Sequence, residues 1–271
     1  MQKPTAEPEA RPEGAEGVCY NSIVDDPIKR SEEVARIVSR GDLRKYYRFR
    51  PARFYGGIAT ADCVGCCLCC LFCWSWHEVI RPETCGQFYS PGQVAKNLLG
   101  IAAKKRFQRI RISGNEPTLA REHLLKVLEL IPSHIQFILE TNGILIGHDE
   151  TYGRELSRFK NLYVRVSLKG ATEEEFSRHT GCEPEGFRLQ LKAVENLYRA
   201  GVEVQPAVMV SFSSEEKIKA LCETLGQIAP VLRDIEVEEL VLYGDVEERL
   251  RKANIDYRSG YQPENIPPEQ V

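Results

Sequence analysis

The 271-residue chain lacks a hydrophobic run of the about 20 apolar residues that a membrane-spanning helix needs. Its N-terminus lacks the apolar segment of a secretory signal. It has little net charge, formally −3, which excludes a global attraction to nucleic acid or to anionic membranes. Four of its ten cysteines stand isolated, at Cys19, Cys85, Cys182 and Cys222, so no second, distant ligand pair of the usual zinc kind is on offer. What remains is an ordinary soluble composition, 28% charged and 42% hydrophobic, long enough for one large domain with a sizeable core. Clustered reduced thiols make the cytoplasm the expected compartment.

The other six cysteines lie between Cys63 and Cys73, in Ala-Asp-Cys-Val-Gly-Cys-Cys-Leu-Cys-Cys-Leu-Phe-Cys-Trp. Buried single cysteines act as small hydrophobes and are scattered, so this density points to metal ligation. Overlapping CxxC pairs run through the stretch, and a CxxxCxxC spacing occurs in two registers: Cys63/Cys67/Cys70 and Cys66/Cys70/Cys73. Three thiolates leave one iron of a cubane without a protein ligand, whereas an electron-transfer cluster takes four. An open iron is where a ligand binds and reacts.

With Cys66, Cys70 and Cys73 as ligands, Phe72 precedes the last of them, and the loop resembles that of the radical S-adenosylmethionine (SAM) superfamily. Ser113-Gly114-Asn115-Glu116-Pro117 is similar to that family's Gly-Gly-Glu-Pro segment, with Asn115 in place of the second glycine. Asn visits left-handed backbone conformations more readily than other non-glycine residues, so the departure is tolerable and backbone groups at this turn can still face a ligand. Thr141-Asn142-Gly143, Leu168-Lys169 and the Arg188–Val210 helix and strand resemble the activases that install glycyl radicals. In the fourth strand Ser167 stands where those enzymes usually carry an acid.

Periodicity divides the chain into an N-terminal tail (1–17) rich in Pro, Glu, Ala and Gly, expected to be disordered, a helical lead-in (18–54), an alternating α/β region (55–245) and a C-terminal extension (246–271). The lead-in carries a helix from Ile28 to Arg40, ended by Gly41. Arg44-Lys45-Tyr46-Tyr47-Arg48-Phe49-Arg50 mixes cations and aromatics as nucleic-acid surfaces do, but is read as an amphipathic approach with packed stems and solvated charges. Strands are expected at Tyr55–Asp62, Arg109–Ser113, Ile135–Thr141, Leu162–Leu168, Val202–Val210 and Glu236–Tyr243. Between them come helices over Pro91–Phe107, Thr118–Ile131, Glu150–Phe159, Glu173–His179, Phe187–Ala200 and Ser214–Ala229. This is a parallel α/β architecture, and the resemblance implies a partial (β/α)6 barrel. Its candidate residues all fall at the carboxyl ends of strands, where such folds collect ligands.

The resemblance implies a [4Fe–4S] cluster on Cys66, Cys70 and Cys73. It also implies SAM on the fourth iron and a 5′-deoxyadenosyl radical that abstracts substrate hydrogen. Phe72 is expected near the adenine and Gly114, Asn115, Glu116 and Pro117 along the methionine. Asn142, Ser167 and Lys169 are candidates for the ribose and carboxylate. A reductant such as ferredoxin or flavodoxin is implied, with a small-molecule or protein substrate and no membrane or nucleic-acid partner. Trp74 and Trp76 are candidates to shield the cluster, and the C-terminal extension is either a lid or a loose tail. A ferredoxin-like carrier without SAM chemistry and a zinc-stabilised module are the alternatives.

Overall fold

Each parallel strand turns apolar residues to one side and polar residues to the other. In a computed structural model of the chain, residues 25–267 are described; the expectations for residues 1–17 and Cys19 lie outside them. The strands are β1 (Ser39–Arg40), β2 (Leu43–Ala52), β3 (Ile58–Cys63), β4 (Gln87–Tyr89), β5 (Arg109–Gly114), β6 (Gln136–Thr141), β7 (Leu162–Leu168), β8 (Glu203–Met209) and β9 (Glu236–Glu238). They form one sheet in the order β1-β2-β3-β5-β6-β7-β8-β9, with β4 paired to β2. From β3 to β9 all neighbours are parallel, whereas β2 lies antiparallel to β3. The sheet does not close, as expected for a partial barrel.

Ile110, Ile112, Phe137, Leu139, Val164, Val166, Leu168 and Val208 are wholly buried on the outer side, under the helices. Each such side chain contributes about 2 kcal/mol on leaving water. The alternate positions carry Asp62, Arg111, Ser113, Glu140, Arg165 and Ser167, with Glu236 and Glu238. These residues are ion-paired across strands: Arg111 to Glu140 at 2.8 Å and Arg165 to Glu236 at 2.9 Å. A closed eightfold barrel fills its centre with bulky apolar groups. Here the core lies between sheet and helices, and the inner wall is polar.

The helices are α1 (Pro27–Val38), α2 (Trp76–Ile80), α3 (Pro91–Lys105), α4 (Arg121–Glu129), α5 (Ile144–His148), α6 (Glu150–Leu156), α7 (Glu173–Thr180), α8 (Glu185–Arg199), α9 (Glu215–Ile228) and α10 (Val246–Lys252). Ser90 caps α3 in a reciprocal box with Gln93, behind Pro91 at the first turn. Ser214 caps α9 by accepting from the Lys217 N–H.

Several boundaries differ from expectation for local reasons. The first helix stops at Val38, and Gly41, at φ +58, sits in the β1–β2 turn instead. Arg44–Arg50 is strand rather than a solvated approach, and Arg44 and Lys45 are buried to their charged ends. Carbonyls receive their heads: Arg44 donates through its two terminal nitrogens to Val38 and Glu116, leaving its Nε without a partner, and Lys45 donates to Pro82 and Glu83. The helix expected over Thr118–Ile131 divides into a 3-10 turn, Pro117–Leu119, and α4, with the non-helical Ala120 between them. The last strand ends at Glu238 instead of Tyr243.

Candidate metal centre and cofactor site

The cysteine loop leaves β3 at the carboxyl edge of the sheet. Gly65 begins it at φ +86, where a Cβ would lie 2.7 Å from Val34 of α1, so only glycine fits between loop and helix. The Cys69 N–H donates to the Thr180 carbonyl at 3.0 Å and the Leu71 N–H to that of His179 at 2.9 Å. These bonds pin the loop to the end of α7. From the C-terminal side, Arg249 of α10 donates to the carbonyls of Leu71 (3.0 Å) and Cys73 (2.6 Å) while lying over the Trp76 ring.

Cys66 and Cys70 are buried, and Cys73 is partly exposed. Their thiols lie near enough to act on one another: a Cys66 thiolate raises the pKa of both Cys70 and Cys73. Burial is the larger cause in each case, and it pushes Cys73 up to about 11. Cys66 is shifted the other way, because Cys67 donates a hydrogen bond to its sulfur. The Leu68 N–H and the Asn142 amide also approach Cys66 Sγ, at 3.4 and 3.5 Å. Among the described residues no three ligand side chains are drawn together tightly enough for a single ion. Three thiolates from one loop are the donor chemistry a cubane cluster takes.

The spare cysteines differ in their surroundings. Cys63 is wholly buried at the end of β3 and its thiol donates to the Ser113 carbonyl at 3.2 Å. Cys67 accepts from Asn142 at 3.3 Å, and Cys69 is disulfide-bonded. Cys85 and Cys182 are buried singly, and Cys222 is partly exposed on α9.

Gly114 ends β5 at φ +94, directly across from Cys63; a Cβ would stand 2.8 Å from the Cys63 nitrogen and 2.9 Å from Asp62 Cα. Asn115 does not adopt a left-handed conformation. It bridges both ends of the cysteine loop, accepting from Gly65 N–H at 2.8 Å and donating to Ser75 Oγ at 3.1 Å. The wholly buried Glu116 carboxylate accepts from Thr118 N–H and hydroxyl, the Thr141 hydroxyl, and the Asn142 N–H at 2.7 Å. Glu116 thereby locks the turn after β5 to the exit of β6. Pro117 is buried beneath it.

Lys169, at the end of β7, donates to Ser167 Oγ at 2.5 Å, and Ser167 donates to Glu238 at 2.6 Å. Burial works to lower the Lys169 pKa, but Glu238, Cys70 and Cys66 outweigh it and hold the ammonium charged. Glu238 is the mirror case. Burial would raise its pKa, yet Arg165 and Lys169 bring it down to about 2. The Phe72 ring stacks 5.4 Å from Phe212 and 6.1 Å from His179. His179 is buried, its Nδ1 has no partner, and burial lowers its pKa to about 4.

The sheet thus brings Cys66, Cys70, Cys73, Phe72, the 114–117 turn, Asn142, Ser167 and Lys169 to one edge. Trp76 lies under Arg249, but Trp74 is 45% exposed and is no shield. Glu238, His179, Phe212 and Arg249 carry no local motif; their place follows from tertiary packing.

A profile described as "Radical SAM: Radical SAM superfamily" matches residues 62–225. No protein of curated function matches the chain by sequence. Among solved structures, SuiB of Streptococcus suis bound to the precursor peptide SuiA is similar over 73% of this chain and 44% of that one, at 18% identity and a TM-score of 0.51. anSMEcpe with bound AdoMet and the peptide Cp18Cys is similar over 76% and 48%, at 20% identity and a TM-score of 0.42. TYW1 with a lysine-pyruvate adduct is similar over 72% and 71%, at 16% identity and a TM-score of 0.48. The chain spans less than half the length of SuiB and anSMEcpe. No helix among the described residues is long and apolar enough to cross a membrane.

Proposed function

The chain belongs to the radical SAM superfamily, and on that premise we propose that Cys66, Cys70 and Cys73 hold its [4Fe–4S] cluster and that SAM lies between the loop and the turn at Gly114. Held there, the cluster would pass one electron from an external donor to the SAM sulfonium, the chemistry being reductive C–S cleavage to methionine and a 5′-deoxyadenosyl radical. The observation carrying the assignment is the mutual approach of these three thiols beside Lys169 and the Glu116-held turn. The burial of Cys63 against Ser113 argues against the register that begins with it.

In this reading the protein's part is orientation and exclusion. Lys169 meets the cofactor's carboxylate and Phe72 packs on its adenine. Glu116 acts at one remove, as a positioning residue for the backbone at Gly114 and Asn142. Ser167 serves the ribose through the carboxylate it holds in place. The electron comes from a low-potential donor of the ferredoxin or flavodoxin kind, in the cytoplasm. Residues 55–245 form the catalytic barrel, and α10 holds the cysteine loop through Arg249.

The test is anaerobic reconstitution followed by reduction: a brown chain should convert SAM to 5′-deoxyadenosine. Retention of that cleavage by Cys70→Ala would remove the ligand set. A four-thiolate carrier would bind no SAM in a calorimetric titration. A zinc module would contain zinc and no iron.

The finer reading is a glycyl-radical activase, supported by the open sheet, which leaves room for a polypeptide loop, and by the segments at Asn142-Gly143 and Leu168-Lys169. Cellular protein labelled with α-deuterated glycine should then pass deuterium to 5′-deoxyadenosine. Product free of deuterium would exclude that role.

A further inference from the structure

The basic, aromatic stretch of β2 is left unexplained by the cluster and its cofactor. Pairing between β2 and β3 is regular except at one place: Tyr46 faces Cys63 and Arg48 faces Asp62, so Tyr47 is an extra residue in a β-bulge. A bulge shifts side-chain alternation by one position. Without it Tyr47 would oppose Asp62, and Arg48 and Arg50 would point to the helix side with Ala61 and Ala59. With it both arginines turn to the inner wall.

There they converge on one group. Arg48 Nε and Arg50 Nε donate to the same oxygen of Asp62, at 2.7 and 2.9 Å, and the other oxygen accepts from Ser113 at 3.3 Å. Asp62 is wholly buried, while the Arg48 and Arg50 side chains are 41% and 27% exposed. No terminal Nη of either guanidinium has a hydrogen-bond partner among the described residues. Glu78, which accepts from Ser75, acts on Arg48 more weakly than Asp62 does. The Arg48 guanidinium lies over Trp74, the exposed residue next to Cys73. A buried carboxylate therefore fixes two forks by their inner nitrogens and leaves the outer ones presented, one residue beyond a cluster ligand. Planar forks of this kind match oxyanions two bonds at a time.

We propose that Arg48 and Arg50 form an oxyanion site on the inner wall, and that the substrate enters with a carboxylate or phosphate held there beside Trp74. The inference rests on the radical SAM reading and names the substrate class for that same site. Arg48 and Arg50 bind the group, Asp62 positions them, and the bulge at Tyr47 gives them their direction.

The reconstituted full-length chain is titrated by calorimetry with inorganic phosphate and with acetate at constant ionic strength. SAM affinity and 5′-deoxyadenosine formation are measured on the same preparations. Binding of either anion, weakened about tenfold by Arg48→Gln and by Arg50→Gln with SAM affinity unchanged, is expected. The better-bound anion names the substrate's group. Arg48→Lys, which keeps the charge and loses the fork, should recover only part of the affinity. Arg48→Gln leaves Asp62 bonded to Arg50 and Ser113, so its fold is retained. Wild-type chain that binds neither anion, or variants that bind like wild type, would overturn the site. So would a parallel loss of SAM affinity, which would give the arginines to the cofactor. Wild-type chain that makes 5′-deoxyadenosine but binds no anion sinks this inference alone, whereas absence of 5′-deoxyadenosine sinks the reading beneath it.

Discussion

Glu238 accepts the Ser167 hydroxyl at 2.6 Å although the two lie 71 residues apart and β8 runs between their strands. Ala207 is the residue of β8 level with Ser167, and its methyl leaves the gap across which they meet. The consequence bears on the acid that the resemblance places on this strand. Ser167 spends its proton on Glu238 and accepts from Lys169, so its hydroxyl is committed. A carboxylate therefore stands beside this strand from β9, accepting from Ser167 and Arg165.

Replacing Glu238 by Gln should therefore cost more than one hydrogen bond. A carboxylate between Arg165 and Lys169, titrating at about 2 rather than the usual 4.5, stabilises the fold by about 3 kcal/mol at neutral pH. Its folded pKa is depressed, so that stability is present above about pH 4.5 and lost as pH falls toward 2. Urea denaturation of both proteins at several pH values tests this. Wild type should lose its advantage over the Gln variant across that window, and parallel curves would contradict the assignment.

The two cysteine registers make opposite demands on Cys63 and Cys73. Cys63→Ala should retain full iron and sulfide after reconstitution, since its thiol serves the Ser113 carbonyl. Cys66→Ala, Cys70→Ala and Cys73→Ala should each lose the cluster's visible absorption. Because desolvation raises the pKa of both Cys70 and Cys73, cluster assembly must release their protons and should slow as pH is lowered from 9 to 7. Iron content per chain decides the register: loss in Cys63→Ala with retention in Cys73→Ala would reverse it.

How far this site could be read from sequence depends on the range of the interaction. Cysteine spacing, the Ser90 cap and the apolar alternation of the parallel strands act within a few residues, and they mark the cysteine loop, the start of α3 and those strands in the sequence. The Arg44–Arg50 strand was illegible because its charged heads are received by the carbonyls of Val38, Pro82, Glu83 and Glu116 and by the Asp62 carboxylate, none of them adjacent in sequence. A bulge leaves no compositional trace either. Glu238 looked like one acid among several on a terminal strand until strand order set it against Ser167.

Asn115→Gly tests the clamp found where a glycine was expected. The variant restores the motif's usual residue but removes the bonds to Gly65 and Ser75 that tie the start of the cysteine loop to its end. Stability should fall by about 1–2 kcal/mol, and cluster retention on gel filtration should fall with it. An unchanged thermal midpoint and full iron content would show the clamp to be idle.

Arg249 carries the last expectation, because it ties α10, at the start of the C-terminal extension, to the cysteine loop. Its buried guanidinium holds the carbonyls of Leu71 and Cys73, on either side of Phe72, and also pairs with Asp245. Arg249→Met keeps most of the apolar stem over Trp76 but leaves two backbone acceptors and one carboxylate without their donor. Each buried carbonyl so abandoned costs about 1–3 kcal/mol, which is more than the methionine recovers by packing. The loop around Cys70–Cys73 should then open more often, so the cluster's absorption should bleach faster in air than in wild type. Arg249→Lys, a single donor head that cannot span both carbonyls, should fall between the two. If all three bleached at one rate, the strap would contribute only to global stability, and the oxygen sensitivity of the cluster would be set by Phe72 and its neighbours instead.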